Sequence, residues 1–294
     1  MDTEDTPVPH REIYDAGNKD SLPGSLVRSE GDDPGADELV NCVYDALGTT
    51  FDFFLAAYGR NSLDGQGGTL RATVHYRENF MNVFWEKGRL VLGDGDGKIF
   101  QLRPRDLLDV VAAGVSRQIQ NPQLRYFNQS GALSESICDV FASLVKQYSL
   151  GQSADQADWL LGAGMLAPNL KAKALRSLAA PGTAYDDPQL SGKDRQKAHM
   201  DDYVELPLHL DNGGVHINSG IPNRAFHFAA TAIGGNAWEK AGRIWYDAAT
   251  GGKLAADASF ADFAELTATV AEDLYGTGKE LDAVNNAWKA VGVR

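Results

Sequence analysis

Close to residue 104 the spacing of apolar residues changes from that of strands to that of helices, and this change constrains the fold most. Between residues 70 and 102, apolar and polar residues alternate in short segments, as in strands with one buried face. These segments are 70–76, 82–86, 90–92 and 99–102, with a glycine-rich turn over 93–97. Residues 38–58 have helical spacing, and residues 1–36 are irregular except for an extended piece around Ile13 and Tyr14. The first third is therefore predicted to be rich in strands.

After residue 104 the apolar residues recur at helical spacing, and one buried stripe predicts a helix over 106–120. Further helices are predicted over 133–148, 155–165, 223–233, 238–249, 260–275 and 279–291. This order favours an α+β fold of two lobes joined by a central helix. We expect a flexible tail over 1–10, a strand-rich lobe over 11–120 that includes the central helix, and a helical lobe over 121–294. A cleft between two lobes is a common place for a binding site.

Composition excludes some classes of partner. The formal net charge of −13 argues against binding to nucleic acid or to an anionic membrane, since both need clustered lysine and arginine. The chain has no apolar run of about 18 residues that could span a membrane. Its polar start lacks the apolar core of a signal peptide, so we expect a cytoplasmic protein or one secreted by a non-classical or other route. Cys42 and Cys138 are predicted to be small buried residues.

Short sequence blocks carry a family resemblance. In chain order they are Asn82-Val83-Phe84-Trp85, Gly93-Asp94-Gly95-Asp96-Gly97, Leu108-Asp109-Val110-Val111, Ser130-Gly131-Ala132-Leu133-Ser134-Glu135-Ser136, Leu175-Arg176-Ser177 and Asp211-Asn212-Gly213-Gly214-Val215-His216-Ile217-Asn218-Ser219-Gly220. With this order the chain resembles the thermolysin family of zinc metallopeptidases, and within it the protealysin-like branch. The resemblance covers about residues 11–293 and implies a thermolysin-like two-lobed fold.

The zinc motif of that family is degenerate in this chain. In the family, zinc is held by both histidines of H-E-x-x-H and by a glutamate on the next helix, and the motif glutamate is the general base. Here Ala113 and Arg117 stand at the histidine positions, and Gly114 stands at the position of the base. The third ligand position is still Glu135, supported by Asp139. We therefore predict no bound metal and no cofactor.

The resemblance also implies residues that bind substrate in the cleft. They are Asn82, Tyr126, Arg176, Asp211 and His216, with Asp211 behind His216. Arg176 could equally form a structural salt bridge, and His216 could be a hydrogen-bonded cleft histidine without a chemical role. For calcium, the resemblance matches Asp109 to a ligand but places Lys146 where a second carboxylate is expected, which makes a poor site.

Glu135 needs a partner if no zinc is bound, because an unpaired buried carboxylate is costly. Arg117 stands at the position of the second histidine, and its longer side chain could reach the vacated site. We expect Arg117 to pair with Glu135, with Asp139 or with both, in place of the ion. The alternative is that Arg117 extends into solvent from the end of its helix.

These residues lead to a main functional prediction and two alternatives. The main prediction is a catalytically inactive homologue, a pseudoenzyme, that keeps a peptide-type cleft for binding a peptide, protein or small-molecule ligand. The first alternative is a repurposed metal-free enzyme that uses His216 with Glu135 and Asp139 for acid–base chemistry on a small molecule. The second alternative is a residual thermolysin-like metalloendopeptidase.

Overall fold

A five-stranded sheet forms the N-terminal part of the protein. The computed structural model describes residues 6–102 and 106–294, so part of the predicted tail over 1–10 lies outside the described residues. The strands are β1 (Arg11–Asp15), β2 (Ser25–Ser29), β3 (Leu70–Val74), β4 (Val83–Glu86) and β5 (Arg89–Leu92). Their order is β2-β1-β3-β5-β4, with β3 parallel to β1 and β5 and the outer pairs antiparallel. Strand β4 therefore lies at one edge of the sheet.

Helix α1 (Glu38–Tyr58) covers one face of this sheet and has the predicted bounds. The Asp37 carboxylate accepts hydrogen bonds from the backbone of Leu39 and Val40, and this cap sets the start of the helix. Gly59, in the left-handed conformation, ends it. The apolar face of α1 packs on side chains of β3 and β5 in one buried core.

Helix α2 (Leu108–Ser116) continues into a turn of 3-10 helix (Arg117–Ile119) and lies between the two lobes. Val111 and Val115 belong to the core under the sheet, whereas Ala112 belongs to the core of the helical part. A Cβ on Gly114 would come within 2.3 Å of Leu90 Cδ1, so glycine allows α2 to lie this close to β5. Of the segment before α2, residues 103–105 lie outside the described residues.

The C-terminal part is helical and surrounds a central, almost fully buried helix, α3 (Asn128–Leu150). The other helices are α4 (Asp211–Asn218), α5 (Gly220–Ile233), α6 (Ala241–Thr250), α7 (Phe260–Tyr275) and α8 (Lys279–Ala290). Trp245 and Trp288 stack in its core, with ring centroids 6.0 Å apart. Short two-stranded pieces connect α3 to α4: β6 (Leu160–Leu161) with β7 (Arg176–Ser177), and β8 (Asp186–Asp187) with β9 (Gly192–Lys193). In the part of the chain that is described, no helix is long and apolar enough to cross a membrane.

The predicted α+β architecture is confirmed, but three local predictions are wrong. Residues 155–165 form no helix, because Trp159 and Gly162 have positive φ angles and the segment turns into β6. The predicted strand over 99–102 is reduced to one bridge between Phe100 and Leu166. Strand β2, within the segment predicted to be irregular, was missed because its apolar residues are exposed at the sheet edge. The predicted lobe boundaries stay a prediction.

Candidate functional site

A cleft of about 630 Å³ lies between the edge strand β4 and helices α2 and α3. Its lining contains most of the candidate residues from the sequence. These are Asn82, Asp109, Ala113, Gly114, Arg117, Tyr126, Glu135, Asp139, Arg176 and His216. The structure thus brings together residues that lie up to 134 positions apart, from Asn82 to His216.

Glu135 lies at the centre of the cleft and is contacted from two sides. The Arg117 guanidinium donates through Nη2 to Glu135 Oε1, and the Tyr126 hydroxyl donates to the same oxygen at 2.6 Å. The guanidinium also lies over the Tyr126 ring, 4.5 Å from its centroid. Arg117 therefore pairs with Glu135, as the sequence predicts. Among the described residues, Arg117 forms no ion pair with Asp139.

A glycine in α3 determines where Tyr126 lies. A Cβ on Gly131 would come within 2.9 Å of the Tyr126 carbonyl carbon and 2.5 Å of Val215 Cγ1. Because glycine has no side chain, the segment before α3 packs against the helix and against α4. The Tyr126 hydroxyl consequently reaches both Glu135 and His216, whose Nε2 is 3.2 Å away.

His216 is held by a left-handed turn at the start of α4. Residues Asp211 to Gly214 all have φ between 49° and 89°, a conformation that the Asp-Asn-Gly-Gly sequence favours. This turn brings the Asp211 carboxylate back to His216, where it accepts from the backbone N–H at 3.0 Å and lies 2.5 Å from Nδ1. A proton on Nδ1 would be donated to Asp211, which leaves Nε2 facing Tyr126 and Glu135.

Asp139, which the resemblance makes a support of the zinc ligand Glu135, is hydrogen-bonded to Arg176 and Asn223. Arg176 donates to both of its oxygens at 2.8 Å, and Asn223 donates to Oδ2 at 2.9 Å. The Asp139 side chain is 1% exposed and that of Arg176 is 27% exposed, so this is a bidentate ion pair with a desolvated carboxylate. Arg176 thus forms the salt bridge that was its alternative role in the sequence.

The protonation states at the centre follow from burial and neighbouring charge. Burial would raise the pKa of Glu135, but His216, Arg117 and the Tyr126 hydroxyl outweigh burial and hold it below its usual value. Burial raises the pKa of the Tyr126 hydroxyl, and the adjacent Glu135 raises it further. Burial also raises the pKa of the Cys138 thiol to about 12. At neutral pH Glu135 is therefore anionic, while Tyr126 and Cys138 keep their protons.

The residues at the family's zinc positions do not fit a zinc ion. Ala113 and Gly114 offer no donor atom, and the cation of Arg117 contacts the remaining ligand, Glu135. The side chain of Leu90 also occupies the space next to Gly114. No group of three or more His, Cys, Asp or Glu suitable for a metal occurs within residues 6–102 and 106–294.

The two positions compared with a calcium site are held by protein groups. One oxygen of the buried Asp109 carboxylate accepts from the Gly162 N–H at 2.9 Å, and burial raises the pKa of Asp109. The Lys146 ammonium donates to Asp158 at 2.9 Å and to the carbonyl of Leu160 at 3.0 Å. At this position, the oxygen acceptors thus surround the positive charge of the Lys146 side chain.

Other candidate residues lie where predicted or were missed. Asn82 lies at the mouth of the cleft, where its side chain accepts from the Val83 N–H at 2.8 Å. Cys138 is free and buried, as predicted, and also lines the cleft. Sequence reasoning missed Asn223, which is fully buried in the structure. The usable signal was an amide between Ile221 and Ala225 on an apolar helix face.

Comparison with known proteins extends this geometry. Residues 2–117 match "Thermolysin metallopeptidase, catalytic domain", and residues 122–293 match "Thermolysin metallopeptidase, alpha-helical domain". The chain is 48% identical over 287 residues to "Protease PrtS" of Photorhabdus sp. (strain Az29), which covers 97% of this chain and 76% of that protein. It is 50% identical over 286 residues to "Extracellular metalloprotease" of Pectobacterium carotovorum subsp. carotovorum, covering 97% and 81%. The solved structure of "Precursor of Protealysin, Metalloproteinase from Serratia proteamaculans" has a TM-score of 0.94 and 50% identity, covering 100% of this chain and 90% of that chain.

These relatives correct three predictions. The prediction of an inactive pseudoenzyme is wrong, since relatives about half identical to the chain are named as proteases and metalloproteases. The description of the protein as metal-free is contradicted by the same names, which agree better with the metalloendopeptidase alternative. The expected cytoplasmic or non-classical location is contradicted by a relative named extracellular.

The resemblance inferred from the sequence blocks is confirmed for both parts of the chain. The two family descriptions together span residues 2–117 and 122–293. The neighbouring solved structure has the same sheet-rich and helical parts along the whole chain. The chain therefore belongs to the thermolysin metallopeptidase family.

Proposed function

We propose that this protein is an endopeptidase of the thermolysin type that binds an extended polypeptide in the cleft beside β4. The observation that carries the proposal is the position of this edge strand next to Tyr126, Glu135 and His216. The names of relatives about half identical to the chain support the class of reaction.

Strand β4 supplies the peptide-binding element. Among residues 6–102 and 106–294, β5 is its one partner strand, so its other side offers backbone N–H and C=O groups to a further strand. Val83, Phe84 and Trp85 also line the cleft. An extended peptide would add to this edge by main-chain hydrogen bonds, which tolerate many sequences, while the cleft walls select side chains.

Tyr126 and His216 act on a carbonyl group of the bound peptide. The Tyr126 hydroxyl and the Nε2 of His216 are 3.2 Å apart and face the same part of the cleft. The Tyr126 hydroxyl, on turning from Glu135, and the Nε2 of a doubly protonated His216 can donate to a carbonyl oxygen, which develops negative charge when water attacks the peptide bond. Asp211 orients the histidine from behind. Ala113, Gly114 and Arg117 do not form the ligand set of a zinc ion, so these side chains carry the proposed chemistry.

We also propose that the protein acts on polypeptides outside the cell. A relative that is 50% identical over nearly the whole chain is named as an extracellular protease. The acidic surface, with a net charge of −13, suits a protein that must remain dispersed in solution.

Cleavage of unfolded protein tests the proposal. The full chain is incubated with denatured casein and with internally quenched peptides, and the products are identified by mass spectrometry with and without added zinc. We expect cleavage within the chains, and a fall in kcat/KM of about 100-fold for His216→Gln. Asp155→Asn, at an exposed position, is the matched control and should leave the rate unchanged. Absence of any cleavage under both conditions would contradict the proposal.

A further inference from the structure

We propose that the Arg117 guanidinium binds the main-chain carbonyl oxygen of the polypeptide at the centre of the cleft. This inference rests on the proposed function, since it requires a peptide in the cleft. Arg117 begins the turn of 3-10 helix after α2, and its side chain is 29% exposed, on the cleft side. It is thus close enough to the cavity to meet a ligand.

The guanidinium has more donors than the protein uses. Arginine has five N–H groups and no acceptor. Nη2 donates to Glu135, and Nη1 is 3.5 Å from the Ser134 hydroxyl, itself hydrogen-bonded to Gln120 at 3.0 Å. Even if the Tyr126 oxygen accepts a third N–H, at least two remain without an acceptor among the described residues. A ligand with an acceptor oxygen would satisfy them.

The neighbours of Arg117 fix its orientation before a ligand arrives. The guanidinium is held on one side by the Glu135 carboxylate and on its face by the Tyr126 ring at 4.5 Å. A donor already held in place loses less conformational entropy on binding than a free arginine on the surface. Arg117 is therefore suited to fix one carbonyl group in one position.

Charge selects a neutral carbonyl oxygen over an acidic side chain. The two cations at the cleft floor, Arg117 and Arg176, are already neutralised by Glu135 and Asp139. A carboxylate entering beside Glu135 would meet a like charge at close range and no arginine of the cleft floor that lacks a counterion. A carbonyl oxygen brings a dipole without net charge, and it can accept from the N–H groups of Arg117 that have no acceptor among the described residues.

Peptides with one thioamide provide the test, because sulfur is a weaker hydrogen-bond acceptor than oxygen in the same backbone. A fluorescent peptide that the protein binds is prepared with the thioamide at each successive position, and affinity is measured by anisotropy at short times. Where peptides are cleaved, KM and kcat are measured separately. We expect about tenfold weaker binding at one position in the unchanged protein. That loss should vanish in Arg117→Gln and persist in part in Arg117→Lys.

A double variant, Arg117→Gln with Glu135→Gln, removes both charges, so a missing thioamide effect cannot be ascribed to an unpaired Glu135. Loss of the position-specific effect in this variant as well supports the inference. An equal thioamide effect in all variants would overturn it and leave the proposed function standing, as would tighter peptide binding by Arg117→Gln. If the unchanged protein binds none of the peptides, the proposed function fails, and the inference fails with it.

Discussion

Two arginine–carboxylate pairs lie side by side in the cleft, and they are built differently. Arg176 donates to both oxygens of Asp139 at 2.8 Å, and Asn223 donates a further hydrogen bond. Arg117 contacts a single oxygen of Glu135, which also accepts from Tyr126. The Asp139 side chain is 1% exposed and that of Glu135 is 11% exposed. The first pair is closed at its carboxylate, where protein groups bond both oxygens, whereas the second, open pair leaves one carboxylate oxygen and part of its guanidinium directed at the cavity.

This difference separates an ion pair that stabilises the fold from an ion pair that can contact a ligand. In a bidentate pair with a buried carboxylate, protein partners satisfy both carboxylate oxygens, and neither oxygen is left for a ligand. In the Arg117–Glu135 pair, one carboxylate oxygen lies 3.7 Å from His216 Nε2 and the guanidinium has N–H groups to spare. We infer that the closed pair stabilises the packing of α3 against α5, while the open pair serves binding.

The largest expected effect comes from breaking the closed pair. Asp139→Ala would leave the Arg176 guanidinium without its counterion and Asn223 without its acceptor. We expect the free energy of unfolding to fall by about 3–5 kcal/mol, the usual cost of removing one partner of a buried ion pair. Urea denaturation followed by circular dichroism measures the change.

The surface pair of Arg243 and Asp247 provides the matched control for this prediction. These residues are four positions apart on α6 and both side chains are partly exposed. Asp247→Ala should lower the free energy of unfolding by only about 0.3–0.5 kcal/mol. Equal losses in the two variants would show that Asp139 has no special structural role.

A smaller effect is expected from breaking the open pair. In Arg117→Gln the Glu135 carboxylate keeps its hydrogen bond from Tyr126 and its neighbour His216. We therefore expect a loss of about 1–2 kcal/mol, measured as for Asp139→Ala. A loss as large as that of Asp139→Ala would remove the distinction between the pairs and make Arg117 a structural residue.

Local signals in the sequence were sufficient for the helices with clear caps. Helix α1 lies between Asp37 and Gly59, and α7 begins at the capping box of Ser259 and Asp262, so both have the predicted bounds. Residues 155–165 looked helical, but the backbone of β6 within this segment pairs with β7, 15 to 17 positions further along the chain. Such pairing cannot be inferred from spacing alone.

The same distinction holds for the cleft. The Arg117–Glu135 contact could be predicted because both residues occupy positions of one family motif, on α3 and just after α2. The Asn223–Asp139 contact joins residues 84 positions apart and depends on how α5 crosses α3. The predicted inactivity rested on the missing ligands at Ala113 and Arg117, and it is contradicted by relatives about half identical to the chain that are named as proteases.

The smallest of the three expected effects is the change in the free energy of unfolding at acid pH. Comparison with Glu135→Gln separates the part of this change that is due to Glu135. Its pKa in the folded protein lies below the ordinary value of 4.5, because burial is outweighed by His216, Arg117 and the Tyr126 hydroxyl. A lowered pKa contributes stability that is present above about pH 4.5 and is lost as the pH falls through the folded-state pKa. Glu135→Gln cannot ionise, while every other carboxyl group is shared with the unchanged protein. We expect the difference in free energy of unfolding between the two proteins to be constant from pH 6 to 8. Below pH 4.5 the unchanged protein should lose stability relative to Glu135→Gln. A difference that stays constant to pH 3 would show that the ionised form of Glu135 gains nothing from its neighbours, and that the open pair is held by packing alone.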